Sequence, residues 1–235
     1  MFDKSRSVCF WKFNLCRVRE LVMRVIDLSQ TIEPGMPCYP GTPEPVFQSV
    51  SSIKHDGFAE QRLTFSSHTG THIDLPSHIL QSGCSLDGFS LDRFTGKGIV
   101  IDVRGSSGGI ITVDLLKAYE TDLLTCDFLL LYSGWSQYWG SPAYYQGFPV
   151  LSLEAVLWLN EFQLKGIGVD MISVDASGSS DFPVHALLLQ HGIVIIENLS
   201  DLFLLLHHSF VFVAFPLKIA QAEASPVRAV AFLDA

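Results

Sequence analysis

Three histidines and one aspartate stand close together within residues 66–78, at His68, His72, Asp74 and His78. All four occupy even-numbered positions, and every second side chain of an extended chain lies on the same face. The four polar groups are therefore expected to converge on one side of the chain. Imidazole nitrogens combined with a carboxylate oxygen form a ligand set that suits Zn²⁺, Mn²⁺ or a similar divalent ion. The pattern predicts a divalent metal site.

The backbone around this cluster must bend if it is to hold one ion. A helix would place His68 and His72 one turn apart, but Pro76 and a run of β-branched residues around Gly70 disfavour a helix here. On a straight strand, positions four apart are about 13 Å from each other, too far for two ligands that each lie about 2.0–2.2 Å from the same ion. We expect Gly70 to supply a bulge or turn that brings the two imidazoles together.

A second cluster of candidate ligands lies downstream. His185 is near the start of a predicted helix over residues 181–191, in which Asp181 is the expected N-cap and Gly192 the stop. Glu197 closes an apolar strand, and a carboxylate in that position is costly unless it is paired or binds a metal. A salt-bridged strand end is the alternative interpretation. Asp170 and Asp175 are weaker candidates of the same kind.

The elements that must position these residues alternate between strands and helices. Short apolar runs bounded by Gly, Pro or Asp predict buried strands at residues 98–103, 128–132, 166–170, 192–196, 210–215 and 227–232. Besides the helix over residues 181–191, helices are predicted over residues 113–119 and 153–162, with Thr112 and Ser152 as their caps. Residues 27–63 are rich in Pro, Gly and Ser, which indicates loops and short strands. This alternation predicts an α/β fold.

Composition limits the classes of protein that fit. The 235-residue chain is 48% hydrophobic but only 17% charged, against about 25% charged in an average soluble domain. These values favour a packed domain that also buries surface in an oligomer. A net charge of −9 argues against nucleic acid as a partner. The five cysteines include no C-x-x-C pair, so neither a disulfide framework nor a zinc knuckle is indicated, and a reducing cytoplasm is expected.

The first 22 residues differ from the rest. They carry five basic and two acidic residues, a net charge of +3 within an acidic protein. They contain no apolar stretch typical of a secretory signal, and no run in the chain approaches the roughly 18 apolar residues that a membrane span needs. We expect residues 1–22 to be an N-terminal extension outside the fold, with Met23 as the functional start and residues 23–235 as the domain. A mitochondrial-type address is the alternative.

The chain resembles the cyclase family of metal-dependent hydrolases, which includes bacterial kynurenine formamidase and isatin hydrolase. Its motif H-x-G-T-H-x-D-x-P-x-H is present in full at residues 68–78. The likeness extends to residues 27–29, 34–41 and 166–170, and then to residues 181–185 and 195–199. It implies a single domain with the swivelling β/β/α fold, assembled as a homodimer or homotetramer.

The resemblance also implies roles for individual residues. One metal would be held by His68, His72 and Asp74. In two-metal members the aspartate bridges to a second ion, here held by His185 and Glu197. The implied general acid/base is His78, beside the metals. Kynurenine formamidases typically carry Trp where this chain has Tyr39 and Asp where it has Thr42; that Trp contacts the substrate, so Tyr39 is the candidate substrate-binding residue.

These observations predict hydrolysis of a C–N bond in a small amide. The leading substrate is N-formyl-L-kynurenine, with Zn²⁺ as the first choice of ion, Mn²⁺ as the alternative, and one or two ions bound. A hydrolase that opens a lactam or lactone, as isatin hydrolase does, and a non-catalytic metal-binding protein are the other candidates. Tyr39, Phe58 and Trp135 are candidates to line a planar pocket, although core packing explains each equally well.

Overall fold

The computed structural model describes residues 23–106 and 109–233, so the predicted extension at residues 1–22 lies outside the described part of the chain. The strands within these ranges are β1 (Arg24–Asp27), β2 (Val46–Ser51), β3 (Glu60–Thr64), β4 (His72–Asp74), β5 (Thr95–Asp102), β6 (Ile110–Ile111), β7 (Phe128–Tyr132), β8 (Val150–Leu151), β9 (Gly166–Val169), β10 (Val194–Glu197), β11 (Phe210–Pro216) and β12 (Ala224–Leu233). The α-helices are α1 (Ile53–Asp56), α2 (Val113–Lys117), α3 (Glu120–Leu123), α4 (Leu153–Leu159) and α5 (Pro183–Gln190).

The main sheet closes on itself. Its strand order is β1-β12-β11-β5-β7-β9-β10-β4, and β4 also pairs with β12, so seven strands form a ring to which β1 is added at β12. The neighbours β5, β7, β9 and β10 run parallel, as crossover connections through helices require, and the other pairings are antiparallel. The predicted α/β architecture is confirmed, and all six predicted strands are present.

Glycines make room for aromatic rings inside the strand ring. A Cβ at Gly98 would overlap the ring of Phe210, its partner on β11, and a Cβ at Gly166 would come within 2.8 Å of Phe128. Inside the ring, large aromatic side chains therefore pack against strand positions that carry glycine and so have no side chain. A second apolar cluster fills the space between the outer face of the parallel strands and the helices α2, α4 and α5.

Helix starts agree only in part with the sequence prediction. The Ser152 hydroxyl accepts a hydrogen bond from the Ala155 N–H at 3.0 Å, so the predicted cap of α4 is confirmed. Thr112 is the N-cap residue of α2, as predicted, but its side chain makes no capping hydrogen bond. The run predicted as one helix over residues 113–119 ends at Lys117, and α3 follows as a separate short helix.

The start of α5 also differs from expectation. Asp181 does not cap it; the residue before the helix is Phe182, which has a left-handed backbone with φ 44°. The N–H groups of Val184 and His185 donate instead to the carboxylate of Asp175, at 2.9 and 3.0 Å. A carboxylate at a helix N-terminus satisfies unpaired N–H groups and complements the helix dipole.

The front of the chain forms an exposed hairpin. Strands β2 and β3 pair only with each other and carry no fully buried residue, which agrees with the prediction of loops and short strands. Large apolar side chains, including Ile53 and Phe58, are exposed on this hairpin. In the part of the chain that the structure describes, no helix has the length and apolar character of a membrane span.

Candidate metal centre

Pairing between β4 and β10 builds the centre of the site. His72 and Asp74 alternate on β4 and so share one face. In the antiparallel register Glu197 lies directly opposite His72, and cross-strand partners of this kind have side chains in reach of each other. The His72 Nε2 is 3.4 Å from Asp74 Oδ1 and 3.6 Å from Glu197 Oε2. All three residues are buried.

Gly70 supplies the expected bend. Its φ of +64° is a left-handed conformation that favours glycine, and a Cβ there would crowd Ile32 at 3.2 Å. The bend brings the His68 and His72 rings to a centroid separation of 5.0 Å, which confirms the prediction. His78 follows on a short 3₁₀ helix, and its ring lies 4.1 Å from that of His68.

His185 enters the site from the first turn of α5. Its Nε2 lies 3.3 Å from Glu197 Oε1 and 3.6 Å from Asp74 Oδ2. Its Nδ1 is 2.7 Å from Asp175 Oδ2, so the carboxylate that receives the helix N–H groups also orients this ring. Metal-binding histidines commonly donate their second ring nitrogen to a carboxylate in this way.

A divalent ion fits this arrangement. Both oxygens of Asp74 are buried without a hydrogen bond of normal geometry, although His68 Nδ1 is only 2.8 Å from Oδ1, and an unsatisfied buried carboxylate calls for a cation. Ligand atoms about 2.0–2.1 Å from a tetrahedral ion are about 3.3 Å apart. His72 Nε2 lies 3.4 and 3.6 Å from one oxygen of Asp74 and one of Glu197. His185 Nε2 lies 3.6 and 3.3 Å from the other oxygen of each, and both pairs of separations are near that spacing.

The candidate ligands form two groups that share one residue. The ligand atoms within each group all lie within 4.8 Å of one another: His68, Asp74 and His78 form one, and His72, Asp74 and Glu197 the other. The structure thus brings all six predicted metal and acid/base residues together. The division of these ligands between two ions, and the role of His78 as acid/base rather than ligand, remain predictions.

The charges in the cluster shift one another's proton affinities. Burial opposes ionisation of Asp74, but the imidazoles around it hold its pKa well below the ordinary value. Burial likewise disfavours a charged His185, yet the neighbouring carboxylates of Asp175, Asp74 and Glu197 favour the protonated ring and raise its pKa to about 12. Burial lowers the pKa of His78 to about 4, so this imidazole is neutral at pH 7. An acidic buried pocket lined by imidazoles is an environment that favours a cation.

Two residues near the cluster were assigned no role from the sequence. Glu223, which lies just before β12, accepts a hydrogen bond from the Ser67 hydroxyl at 2.6 Å, and its carboxylate is 3.7 Å from His68 Nε2. Asn198 follows Glu197 and lines the cavity. Both depend on long-range pairing, and only the position of Asn198 next to a candidate ligand could have drawn attention to it.

Asp170, a weaker candidate from the sequence, has a structural role. Its carboxylate accepts hydrogen bonds from the Ser133 N–H and hydroxyl and from the Gly134 N–H. Burial raises its pKa despite these bonds. It therefore fixes the turn after β7 and contributes no ligand atom to either group.

A cavity of about 170 Å³ opens beside the cluster. Tyr39 lines it, as predicted, and its ring centroid is 6.5 Å from that of Phe182, whereas its contact with a substrate stays a prediction. Phe182 in turn meets the edge of His185 at 5.8 Å. The other two aromatic residues suggested to line a planar pocket do not line this cavity. Phe58 is exposed on the hairpin, and Trp135 packs against the apolar cluster between the sheet and the helices.

Known proteins resemble this chain in sequence. Residues 26–176 match the model of the family Cyclase, described as "Putative cyclase". An uncharacterised protein of Methanocaldococcus jannaschii is 35% identical over 213 residues, which cover 90% of this chain and 100% of the relative. A kynurenine formamidase of Erythrobacter litoralis is 32% identical over 210 residues, 88% of this chain and 93% of the relative.

The fold is also similar to that of a solved enzyme. The crystal structure of an isatin hydrolase bound to the product analogue thioisatinate superposes with a TM-score of 0.82 at 25% identity. The match covers 91% of this chain and 93% of that one. The predicted single-domain swivelling β/β/α fold is confirmed by this similarity together with the closed strand ring.

Proposed function

The chain belongs to the cyclase family, and from this membership we propose that it is a divalent-metal-dependent hydrolase of small amides. The bond cleaved is a C–N bond other than a peptide bond, and the leading substrate is N-formyl-L-kynurenine, which yields L-kynurenine and formate. The observation that carries the proposal is the pair of buried, unsatisfied Asp74 oxygens among imidazoles from two distant segments, at the edge of a cavity.

The proposed ligands are those predicted from the sequence. His68, His72 and Asp74 hold one ion, and His185 and Glu197 hold a second when two are bound. Zn²⁺ is the first choice and Mn²⁺ the alternative, since nitrogen and carboxylate donors serve both. A divalent ion at these ligands supplies Lewis acidity, which polarises the scissile carbonyl and lowers the pKa of water.

His78 is the proposed general acid/base. Its ring lies 4.1 Å from that of His68 and 5.9 Å from that of His185, and it lines the cavity. Its neutral form at pH 7 can accept a proton from the attacking water. Amide cleavage then requires protonation of the poor nitrogen leaving group, and the same imidazole can deliver that proton.

Aromatic side chains form the proposed substrate contact. Tyr39 and Phe182 both line the cavity and contact each other at a tilted ring separation of 6.5 Å, and Ile79 and Ile172 add apolar surface. Offset and edge contacts between aromatic rings are favourable, so a planar ring is held beside the polar cluster.

Lactam opening is a second candidate, and one observation favours it. Among the described residues that line the cavity, none is Lys or Arg. The carboxylate of an amino-acid substrate therefore has no cationic side chain to pair with there, whereas a neutral bicyclic lactam needs none. Comparing turnover of N-formylkynurenine, formanilide and isatin separates the two candidates.

Metal removal tests the proposal as a whole. The purified protein is expected to contain Zn²⁺ or Mn²⁺, to release formate from an aryl formamide, to lose that activity on chelation, and to regain it when the ion returns. His191→Ala, which alters an exposed histidine outside the cavity, is a matched control for His78→Ala. Unchanged turnover after verified removal of the ion would contradict the proposal, and ion binding without turnover of any substrate would support a non-catalytic metal-binding protein.

The proposal extends to compartment and assembly. Within the described residues Cys38, Cys84 and Cys126 form no disulfide, which suits the reducing cytoplasm. The exposed apolar side chains of the β2–β3 hairpin suit burial in a homodimer or homotetramer. Light scattering of the purified protein measures its oligomeric state directly.

A further inference from the structure

Asn198 occupies an unusual position beside the candidate ligands. It directly follows Glu197, is buried, and has a left-handed backbone with φ 59°. Few residues other than glycine adopt this conformation, although asparagine tolerates it better than most. A strained residue at the edge of a cavity calls for an explanation in terms of what its side chain does there.

The side-chain amide of Asn198 joins two parts of the molecule. Its Nδ2 donates to the carbonyl of Gly70 at 2.9 Å, and its Oδ1 accepts from the hydroxyl of Tyr144 at 2.7 Å. The carbonyl can only accept, so the amide nitrogen must face it, and the phenol then has the oxygen as its partner. Tyr144 is itself fully buried, so these bonds are shielded from water.

The same carbonyl sets the chemistry of His72. Its oxygen lies 2.9 Å from His72 Nδ1, which must therefore carry the hydrogen. The lone pair of this imidazole is then on Nε2, the nitrogen that faces Asp74 and Glu197. If the Gly70 carbonyl moved, the His72 ring would no longer be held in this orientation or in this tautomer.

We infer that Asn198, held in place by Tyr144, is a positioning residue that fixes the Gly70 carbonyl and thereby keeps His72 in the Nδ1–H tautomer with Nε2 free for a divalent ion. The inference rests on the proposed metal-dependent function. It adds a physical link between the two ligand-bearing segments, because the residue that orients His72 is adjacent in sequence to Glu197.

Three variants test the inference. Asn198→Asp replaces the donor by an acceptor of the same shape, Asn198→Gly removes the amide without adding charge and tolerates the positive φ, and Tyr144→Phe removes the hydroxyl that orients the amide. Tyr145→Phe is the matched control, because it lies beside Tyr144 at a ring separation of 6.3 Å and outside this hydrogen-bond chain.

Affinities for Zn²⁺ and Mn²⁺ are measured by competition with a chromophoric chelator. The tautomer of His72 is read from ring ¹⁵N–¹H correlation spectra of the metal-free protein. Both Asn198 variants are expected to bind the ions about 10–100-fold more weakly, the range seen when outer partners of metal ligands are lost. Tyr144→Phe is expected to lose less, and Tyr145→Phe to stay within about twofold of wild type.

Affinities within about twofold of wild type in all three variants, or an unchanged Nδ1–H signal from His72 in Asn198→Gly, would overturn the inference. So would an equal loss in Tyr145→Phe. If Asn198→Asp does not fold, Asn198→Gly and Tyr144→Phe decide the matter. A wild-type protein that binds neither ion would refute the proposed function, while the tautomer comparison would still test the role of Asn198.

Discussion

Residues 66–78 and residues 170–197 both supply candidate ligands, but they are held in place differently. In the first segment the spacing is local: a bend at Gly70 and two strand positions bring His68, His72 and Asp74 together. In the second, His185 depends on a carboxylate ten residues earlier, and Glu197 depends on the register between β10 and β4. Local spacing leaves a motif in the sequence, whereas support from elsewhere in the fold leaves none. Substitutions in the two segments should show this difference between local and distant support.

The largest effect is expected at Asp74, which both ligand groups share. Asp74→Ala should weaken divalent-ion binding by more than the roughly 100-fold upper limit for loss of an outer partner, because it removes the ligand itself. Isothermal titration of the metal-free protein measures this. Asp114→Ala changes an exposed carboxylate as a control. Retained binding in Asp74→Ala would show that the two segments do not meet at this residue.

His78→Ala comes next and tests for chemistry separate from binding. Loss of a general acid/base typically costs about 10²–10⁴-fold in turnover, and the ion is expected to remain bound. Steady-state kinetics and metal analysis of the same sample give both quantities. Loss of the ion together with activity would identify His78 as a ligand of the first segment instead.

The pH dependence provides an independent measurement of the same residue. A base acts only when it is unprotonated, and burial lowers the pKa of His78 from the usual histidine value to about 4. Activity that depends on this imidazole should therefore persist below pH 6.5 and fall as the pH approaches 4, with no loss from its titration on the alkaline side. A limb at pH 6.5–7 in kcat/KM that is absent from the residual activity of His78→Ala would mean that this ring is better solvated than the structure shows.

Asp175→Asn tests the support that is specific to the second segment. The amide keeps the shape, but it loses the charge that pairs with His185 and with two helix N–H groups. The expected cost is about 10–100-fold in affinity for the ion at His185 and Glu197. Asp181→Asn, an exposed neighbour of the same helix, should leave affinity unchanged. Equal behaviour of the two variants would remove the distinction between the segments.

The smallest effect is expected from Gly70→Ala. The left-handed backbone at this position costs a non-glycine residue about 1–2 kcal/mol, and the added Cβ also crowds Ile32. Chemical denaturation of the metal-free protein should show that loss in the free energy of unfolding. Gly105→Ala, where φ is not left-handed and no atom lies within 4 Å of the added carbon, is the control.

The difference between local and distant support also explains which features could be predicted from the sequence. The strand over residues 128–132 and the Ser152 cap depend on a few neighbouring residues, and both agree with the structure. The bend that brings His68 to His72 was also predictable, because the ligand spacing requires it and Gly70 permits it.

The remaining features depend on partners far along the chain. Asp175 replaces the expected Asp181 at the start of α5 because the chain turns back between them, which no local pattern indicates. Asn198 acts across 128 positions on Gly70, and Glu223 across 156 positions on Ser67. Such pairs are set by strand order in the ring, and strand order was not predicted from the sequence.

The closure of the ring has a consequence for how this enzyme matures. Strand β4, which carries His72 and Asp74, is hydrogen-bonded on one side to β10 and on the other to β12, both of which follow it far along the chain. During synthesis the site cannot be completed until β12 has left the ribosome, and such distant pairing folds slowly. Once the ring has closed, the β4 amides should be among the last to exchange with deuterium, because exposing them requires opening the whole barrel.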